Sequence, residues 1–370
     1  MANVGVILYE DKGDVGNKKP DDLTKCKVVH SGDFVINSMN YAIGSYGVSP
    51  YEGICSPVYV ILRPNEARVD SEFAARVFEC KSFQGHAQSF GNGILAHRCA
   101  IGWDILKNLP VALPPLNEQR IIARYLAGAL IQIDSAISSQ ERMIELLKER
   151  RSAIITQAVT KGLDPKAKMK DSGVPWLGQV PVHWPLVRIG SQTALRSEKG
   201  SDKDFTPLSV TKLGVVPQLE TAAKTDDGDN RKIVRKGDFV INGRSDRKGS
   251  SGVSATDGSV SLINITIKLG AGFYPRFAHH LFRSYAFQEE FYRWGKGIVA
   301  DLWSTNYWDL KRIMCAMPTL EEQESIAKFL DAELVVMDAA IKSQGQMIEL
   351  LKERRSAIIT QAVTGQIDVR

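Results

Sequence analysis

The sequence predicts a mixed α/β (α+β) protein. Two globular domains are separated and joined by two long antiparallel coiled-coil helices, the whole forming a pseudo-two-fold internal repeat. Two observations carry that prediction. The segment MIELLKERRSAIITQAVT stands at Met143–Thr160 and again, unchanged, at Met347–Thr364, an offset of 204 residues. Through each copy, seam residues step along the chain by alternating fours and threes, the spacing of a heptad repeat.

The repeat extends upstream. Within a residue of the same offset, GDFVIN at Gly32–Asn37 aligns with GDFVIN at Gly237–Asn242. GNGI at Gly91–Ile94 aligns with GKGI at Gly295–Ile298, and LPPLNEQ at Leu113–Gln119 with MPTLEEQ at Met317–Gln323. Matches in one order mark a tandem duplication, each unit being a variable globular part followed by a near-constant tail. The second unit spans 204 residues to Thr364 and the first 160 to Thr160, so the first is 44 residues shorter. The domains that follow are a first globular domain at 1–112, N-terminally incomplete relative to its repeat, and a coiled-coil helix at 113–162. A linker and domain start occupy 163–185, a second globular domain 186–316, and a second coiled-coil helix 317–370.

In the globular parts, CKVVHSGDFVIN, SPVYVILRP, RKIVRKGDFVIN and SVSLINITIKLG are rich in Val and Ile and bounded by Gly, Asp or Pro, hence strands. SEFAARVFECKSFQ and RFAHHLFRSYAFQEEFYRW carry helix-spaced apolar residues. The stretch KGLDPKAKMKDSGVPWLGQVPVHWP is rich in Pro and Gly, as a linker into a new domain would be.

The tails are helices. The first seam runs Leu126, Leu130, Ile133, Ile137, Gln140, Ile144, Leu147, Arg151, Ile154, Ala158. The second runs Leu330, Leu334, Met337, Ile341, Gln344, Ile348, Leu351, Arg355, Ile358, Ala362. Both place a Gln and an Arg at matching points, polar residues that weaken a coiled coil but fix its register. Pro114 and Pro318 lie just ahead, and Gly162 and Gly365 just behind, as helix limits require. One such stripe ordinarily marks an amphipathic helix lying on its own domain. Two matched stripes of more than four heptads point instead to a pair packed on each other. A helix of about 44 residues is about 66 Å long at 1.5 Å per residue. An antiparallel pair of that length would place one globular module at each end.

Composition narrows the class. A net charge of +5 with a pI near 8.8 permits nucleic-acid binding without demanding it. Five cysteines, scattered and without a CxxC pair, indicate neither a disulfide framework nor a zinc site. The N-terminus lacks a signal-peptide pattern, and no apolar run nears the roughly 18 residues of a membrane span, so a cytoplasmic location is expected. No Asn/Asp-Pro-Pro-Phe/Tyr motif, GxGxxG after a strand, or GxxxxGK[ST] loop occurs. His279 and His280 lack an HExxH frame and read as a helix face, and DDGDN at Asp226–Asn230 reads as a turn. No catalytic residue, cofactor site or metal site is expected in this chain, and hence no enzyme.

A helix introduced by LPPLNEQ, continued through LLKERRSAIITQAVT and closed by TGQIDV resembles the conserved regions of the specificity (S) subunits of type I restriction–modification systems. DSGVPWLGQVPVHW, at Asp171–Trp184, resembles the opening of a target recognition domain in that family. The likeness covers essentially the whole chain. It implies two target recognition domains that read a bipartite, asymmetric DNA sequence, one half-site each, with half-sites one helical turn apart needing about 34 Å. It implies further that the helices hold two modification subunits, which bind S-adenosylmethionine and flip the target adenine, and through them ATP- and magnesium-dependent restriction subunits. The identical LLKERRSAII segments would then be matched docking surfaces, although helix packing alone also accounts for them. The competing reading is a coiled-coil scaffold that binds only protein.

Candidate DNA contacts follow from the loops after GDFVIN. In the second unit, GRSDRKGSSGV offers Arg244, Arg247 and Lys248 to phosphates or a guanine edge, and Asn242 and Ser245 to base edges. Seven basic residues against two acidic ones lie between Arg231 and Lys248. In the first unit SMNYAIGSYG offers Asn40, Tyr41, Ser45 and Tyr46. Lys296, before the second helix, is a further phosphate candidate. Trp176, Trp184, Trp294, Trp303 and Trp308 are expected as core anchors.

Overall fold

Both heptad segments are continuous helices, Leu116–Lys161 of 46 residues and Leu320–Val363 of 44. The computed structural model describes residues 4–13, 22–39, 41–91, 100–219, 228–297 and 303–369. The chain divides into unit 1, Met1–Arg142 with Gln344–Arg370, and unit 2, Met143–Ser343. Each unit therefore combines a globular part, one half of the long helix that leaves it and one half of the other long helix.

Unit 1 runs through strands β1 (Lys27–Val29), β2 (Phe34–Asn37), β3 (Tyr46–Val48), β4 (Gly53–Cys55) and β5 (Tyr59–Leu62). Helices α1 (Ser71–Glu79), α2 (Lys81–Ser89) and α3 (Trp103–Leu106) precede the long helix α4. Its sheet order is β3-β2-β5, antiparallel, with β1 and β4 forming a separate pair. Unit 2 opens with β6 (Met169–Asp171), β7 (Gln179–Pro181), β8 (Leu186–Arg188), β9 (Thr193–Leu195) and β10 (Lys199–Gly200). It continues through β11 (Leu208–Thr211), β12 (Gly214–Pro217), β13 (Arg231–Val234), β14 (Phe239–Asn242), β15 (Ser251–Val253), β16 (Gly258–Val260) and β17 (Asn264–Leu269). Helices α5 (Pro275–Arg283), α6 (Tyr285–Arg293) and α7 (Tyr307–Leu310), strand β18 (Met314–Ala316) and the long helix α8 complete it. The main sheet here has order β15-β14-β17-β9, with β10-β13-β16 beside it.

The repeated GDFVIN motif has a structural cause in both units. Its glycine, Gly32 or Gly237, sits at φ 90°, a left-handed turn that other residues adopt at a cost. The aspartate then accepts a backbone N–H three residues back: His30 to Asp33 and Arg235 to Asp238, both 2.8 Å. Each carboxylate is also gripped by two arginine nitrogens, of Arg63 on Asp33 and of Arg196 on Asp238. The Arg63 hydrogen bonds hold the Asp33 carboxyl below its ordinary range against the opposing effect of burial.

The LNEQ and LEEQ segments have a cause as well. Gln119 is fully buried; its Nε2 donates to the Arg68 and Pro114 carbonyls, and its Oε1 accepts the Asp70 N–H. Gln323 repeats this with the Gly272 and Pro318 carbonyls and the Tyr274 N–H. Each glutamine thus ties the loop before α1 or α5 to the start of a long helix. Helix α8 also begins with a capping box, in which Thr319 and Glu322 each accept the other's N–H. Gly162 and Gly365, at φ 77° and 68°, end the helices in the left-handed C-cap.

The seam pairs antiparallel inside each unit. In unit 1, Leu126 and Leu130 share a core with Ile359, Ala362 and Val363, while Asp134 meets Arg355 at 2.9 Å. In unit 2, Leu330 and Leu334 share a core with Ile155, Ala158 and Val159, while Asp338 meets Arg151 at 3.2 Å. Each fully buried leucine contributes about 2 kcal/mol by leaving water. The half-buried Ile137, Gln140, Ile144 and Leu147 continue the first seam, and Ile341, Gln344 and Leu351 with the buried Met337 and Ile348 the second. A stretch of α4 reaches a mean hydropathy of 1.2, enough by composition to cross a membrane. Its Leu126, Leu130 and Ile133 are instead buried within unit 1, so this is a core helix.

Candidate nucleic-acid interface

Strand β14 is buried at all four residues, and it delivers the chain to a surface loop, Gly243–Gly249. Asn242 closes the strand. Its Oδ1 accepts the Arg244 N–H at 3.0 Å and its carbonyl accepts the Tyr292 hydroxyl at 3.0 Å, so this side chain shapes the turn from inside. A short helical turn, Ser245–Arg247, follows; the Ser245 side chain lies outside the described residues. Arg244 and Arg247 both lean on Asp246, at 3.2 and 3.7 Å. Lys248 pairs with Glu289 and lies 5.9 Å over the Tyr292 ring.

The fold brings Lys296 to the same place. Ser304 forms bridges with both Arg244 and Lys296, so two basic residues 52 apart in sequence flank one residue. The Lys296 ammonium is largely exposed, 3.8 Å from Asp309. Arg244, Arg247, Lys248 and Lys296 thus share one region of unit 2, with Asp246, Glu289 and Asp309 among them. The pairs to Asp246 and Glu289 are exposed and worth little individually, so Arg244, Arg247 and Lys248 can exchange a carboxylate for a phosphate at small cost.

Two expected core anchors are at the surface instead. Trp303 and Trp308 are exposed, whereas Trp184 is buried and Trp176 and Trp294 pack against the core. The reason is local. Trp308 stands on the first turn of α7, capped by the Asn306 side chain, with its ring under Lys311 at 4.3 Å. Trp303 is tied by its Nε1–H to the Gly297 carbonyl.

The unit 1 loop is different. Asn40 lies outside the described residues. Tyr41 and Ser45 are buried, and the Tyr41 hydroxyl donates to the Phe78 carbonyl at 2.5 Å. Burial raises the Tyr41 phenol well above its ordinary value. Tyr46 is half-buried against Phe34 and Tyr41, with ring centroids 5.9 and 5.5 Å apart.

Sequence reasoning missed a second basic surface of unit 2. A cleft of about 660 Å³ is lined by Arg151, Lys212, Lys248, Arg276, His279 and Arg283, with Asp331, Asp338 and Glu289 among the acids. Arg276 and His280 share Asp331, at 2.7 and 2.8 Å. The Arg283 guanidinium reaches the Lys212 carbonyl and His279. Burial, reinforced by Arg283 and Arg276, pushes the His279 imidazole down to about 3, so it is neutral at pH 7. The signal was the spacing of Arg276, His279, His280 and Arg283, which puts all four on one helical face.

No protein-family model matches the sequence. A Methanocaldococcus jannaschii protein described as the type I restriction enzyme MjaX specificity subunit is 24% identical over 387 residues, covering 97% of this chain and 83% of that one. The EcoKI specificity subunit of Escherichia coli K12 is 21% identical, covering 86% and 70%. Among solved structures, a chain from work on assembly and conformational transition of the type I R-M system matches with TM-score 0.69 and 17% identity, covering 91% and 83%. The HsdS subunit of Thermoanaerobacter tengcongensis matches with TM-score 0.52 and 18% identity, covering 92% and 82%. In sequence and in fold alike, this chain is similar to specificity subunits of type I restriction–modification systems.

Proposed function

We propose that the chain reads DNA for a type I restriction–modification complex. Each globular part reads one half of a split, asymmetric target, and the long helices dock two modification subunits and through them the restriction subunits. S-adenosylmethionine, ATP and magnesium belong to those partners, and the isolated chain neither cuts nor methylates. One observation carries the reading: kinship with specificity subunits runs the length of a chain whose two halves share a frame and differ in the loops after GDFVIN. Different loops on one frame give different half-sequences. In unit 2 the readers would be Arg244, Arg247, Lys248 and Lys296, with Asn242 positioning their loop.

The test is selection from a random duplex library by the chain assembled with its modification subunits, comparing the parent with an Arg244→Ala/Arg247→Ala variant. The parent is expected to select two defined half-sequences around a fixed gap, and the variant to relax one half by about 1–3 kcal/mol per lost base contact. Selection of no sequence at all by an assembled complex would refute the reading. A loss equal on every duplex would reassign both arginines to phosphates.

A further inference from the structure

The duplication supplies an internal comparison for the basic cleft of unit 2. Helix α5 is α1 shifted by the repeat offset of 204 residues. Arg283 therefore stands where α1 has Glu79, and Arg151 of α4 where α8 has Arg355. In unit 1 these positions form an ion pair. The Glu79 carboxylate meets Arg355 at 2.5 Å and Arg76 at 2.6 Å, with 15% of its side chain exposed. In unit 2 a guanidinium holds the place of that carboxylate, and both arginines line one cleft of about 660 Å³.

The cleft does not make up the missing negative charge. Arg151 pairs with Asp338, Arg276 with Asp331 and Lys248 with Glu289. Lys212 and Arg283 also line it, and among the described residues neither has a carboxylate partner. The half-buried Arg283 guanidinium reaches only the Lys212 carbonyl and His279, an imidazole that is neutral at pH 7. Burial, with Arg151 and Arg276 nearby, lowers the Arg283 guanidinium from its ordinary value. The cleft thus holds two more cations than carboxylates, and a desolvated charge without a counter-ion is costly.

We propose that this cleft is an anion site for a phosphate carrying two negative charges, the phosphate of a nucleotide or a free phosphate, with Arg283 and Lys212 as its ligands. The anion takes the part that the Glu79 carboxylate plays in unit 1. A guanidinium presents a planar fork that fits phosphate oxygens in pairs. A dianion balances an excess of two, whereas one acidic side chain or one DNA phosphodiester balances half of it. The volume falls within the roughly 300–1,000 Å³ of small-molecule sites. Tyr285 and Leu213, 63% and 88% exposed, line the cleft and offer apolar surface to the rest of a nucleotide. The inference goes beyond the proposed DNA reading and stands without it.

The experiment titrates AMP and inorganic phosphate into the full chain at constant ionic strength, following phosphorus NMR line width and thermal melting. Saturable broadening and a raised melting temperature are expected from both probes. Arg283→Glu, which writes the unit 1 residue into unit 2, should weaken binding at least about tenfold and remove the thermal response. Lys212→Ala changes an exposed side chain and serves as the second variant, with a loss of at least about threefold expected. Arg244→Ala/Arg247→Ala, aimed at the proposed DNA contacts, should bind AMP as the parent does. No saturable binding by the parent, or parent-like binding by both Arg283→Glu and Lys212→Ala, would overturn the proposal. So would displacement of AMP by a short duplex of arbitrary sequence at equal phosphate concentration, which would give the cleft to the DNA backbone.

Discussion

The contacts made by the long helices and the loops that follow the GDFVIN strands respond oppositely to the duplication. Gln119 and Gln323 make the same three hydrogen bonds to equivalent backbone groups. Arg355–Asp134 and Arg151–Asp338 are the same pair twice. The loops share nothing of the kind: one turns Tyr41 inward and the other turns Arg244 and Arg247 outward. Identical strands therefore launch unlike surfaces. The duplicated part is a frame, and the divergent part is where two reading specificities would reside.

That contrast can be broken at several points. The largest effect is expected from the glutamines. Replacing Gln119 or Gln323 with Leu strands a buried N–H and two carbonyls, and each variant should lose about 3 kcal/mol in denaturant unfolding. Losses that differ widely would mean the two frames are not equivalent.

The next effect sharpens the comparison. Arg355 adds a second partner, the largely buried Glu79, that Arg151 lacks. Burial drives the Glu79 carboxyl up, but Arg355 and Arg76 outweigh it and hold it below its ordinary 4.5. Arg355→Met should therefore cost about 1–2 kcal/mol and Arg151→Met less than about 0.5. The Glu79 contribution is present above pH 4.5 and is lost as pH falls through the lower folded value, so the gap between the variants should narrow in acid.

Histidine separates the units by pH. The unit 1 counterpart of His279 is Ala75. Unfolded His279 takes a proton as pH falls below its ordinary 6.5, while the folded residue resists until about 3. Stability is therefore lost on acidification across that window. His279→Ala should flatten the decline between pH 7 and 5, as thermal melts would register; an unaltered slope would assign the acid sensitivity elsewhere. The smallest effect is expected from Arg244→Ala/Arg247→Ala, which should change unfolding by less than about 0.5 kcal/mol because both side chains are exposed and share one acid.

Much of the frame was legible in the sequence. The heptad seam and its limits at Pro114, Gly162, Pro318 and Gly365 depend on local rules, and the helices obey them. The candidate site was legible in part, since Arg244, Arg247 and Lys248 share a surface loop, whereas Lys296 joins them through Ser304, a contact no local pattern marks. Burial of Asn242 and Tyr41 was not legible. β14 is covered on both faces, so a strand's usual alternation of buried and exposed residues is absent there. Polarity at the end of such a strand says nothing of exposure. Nor did Gln119 and Gln323 declare themselves, because two of the three partners of each are backbone groups 49 and 51 residues away, which no side-chain pattern marks.

The most direct test of a shared frame with two readers is to map adenine methylation in DNA from cells that express this chain with its modification partner. The account predicts a split motif, two unlike half-sequences separated by a fixed unspecified gap. Methylation at a single undivided or palindromic sequence, from a complex shown to assemble, would contradict it.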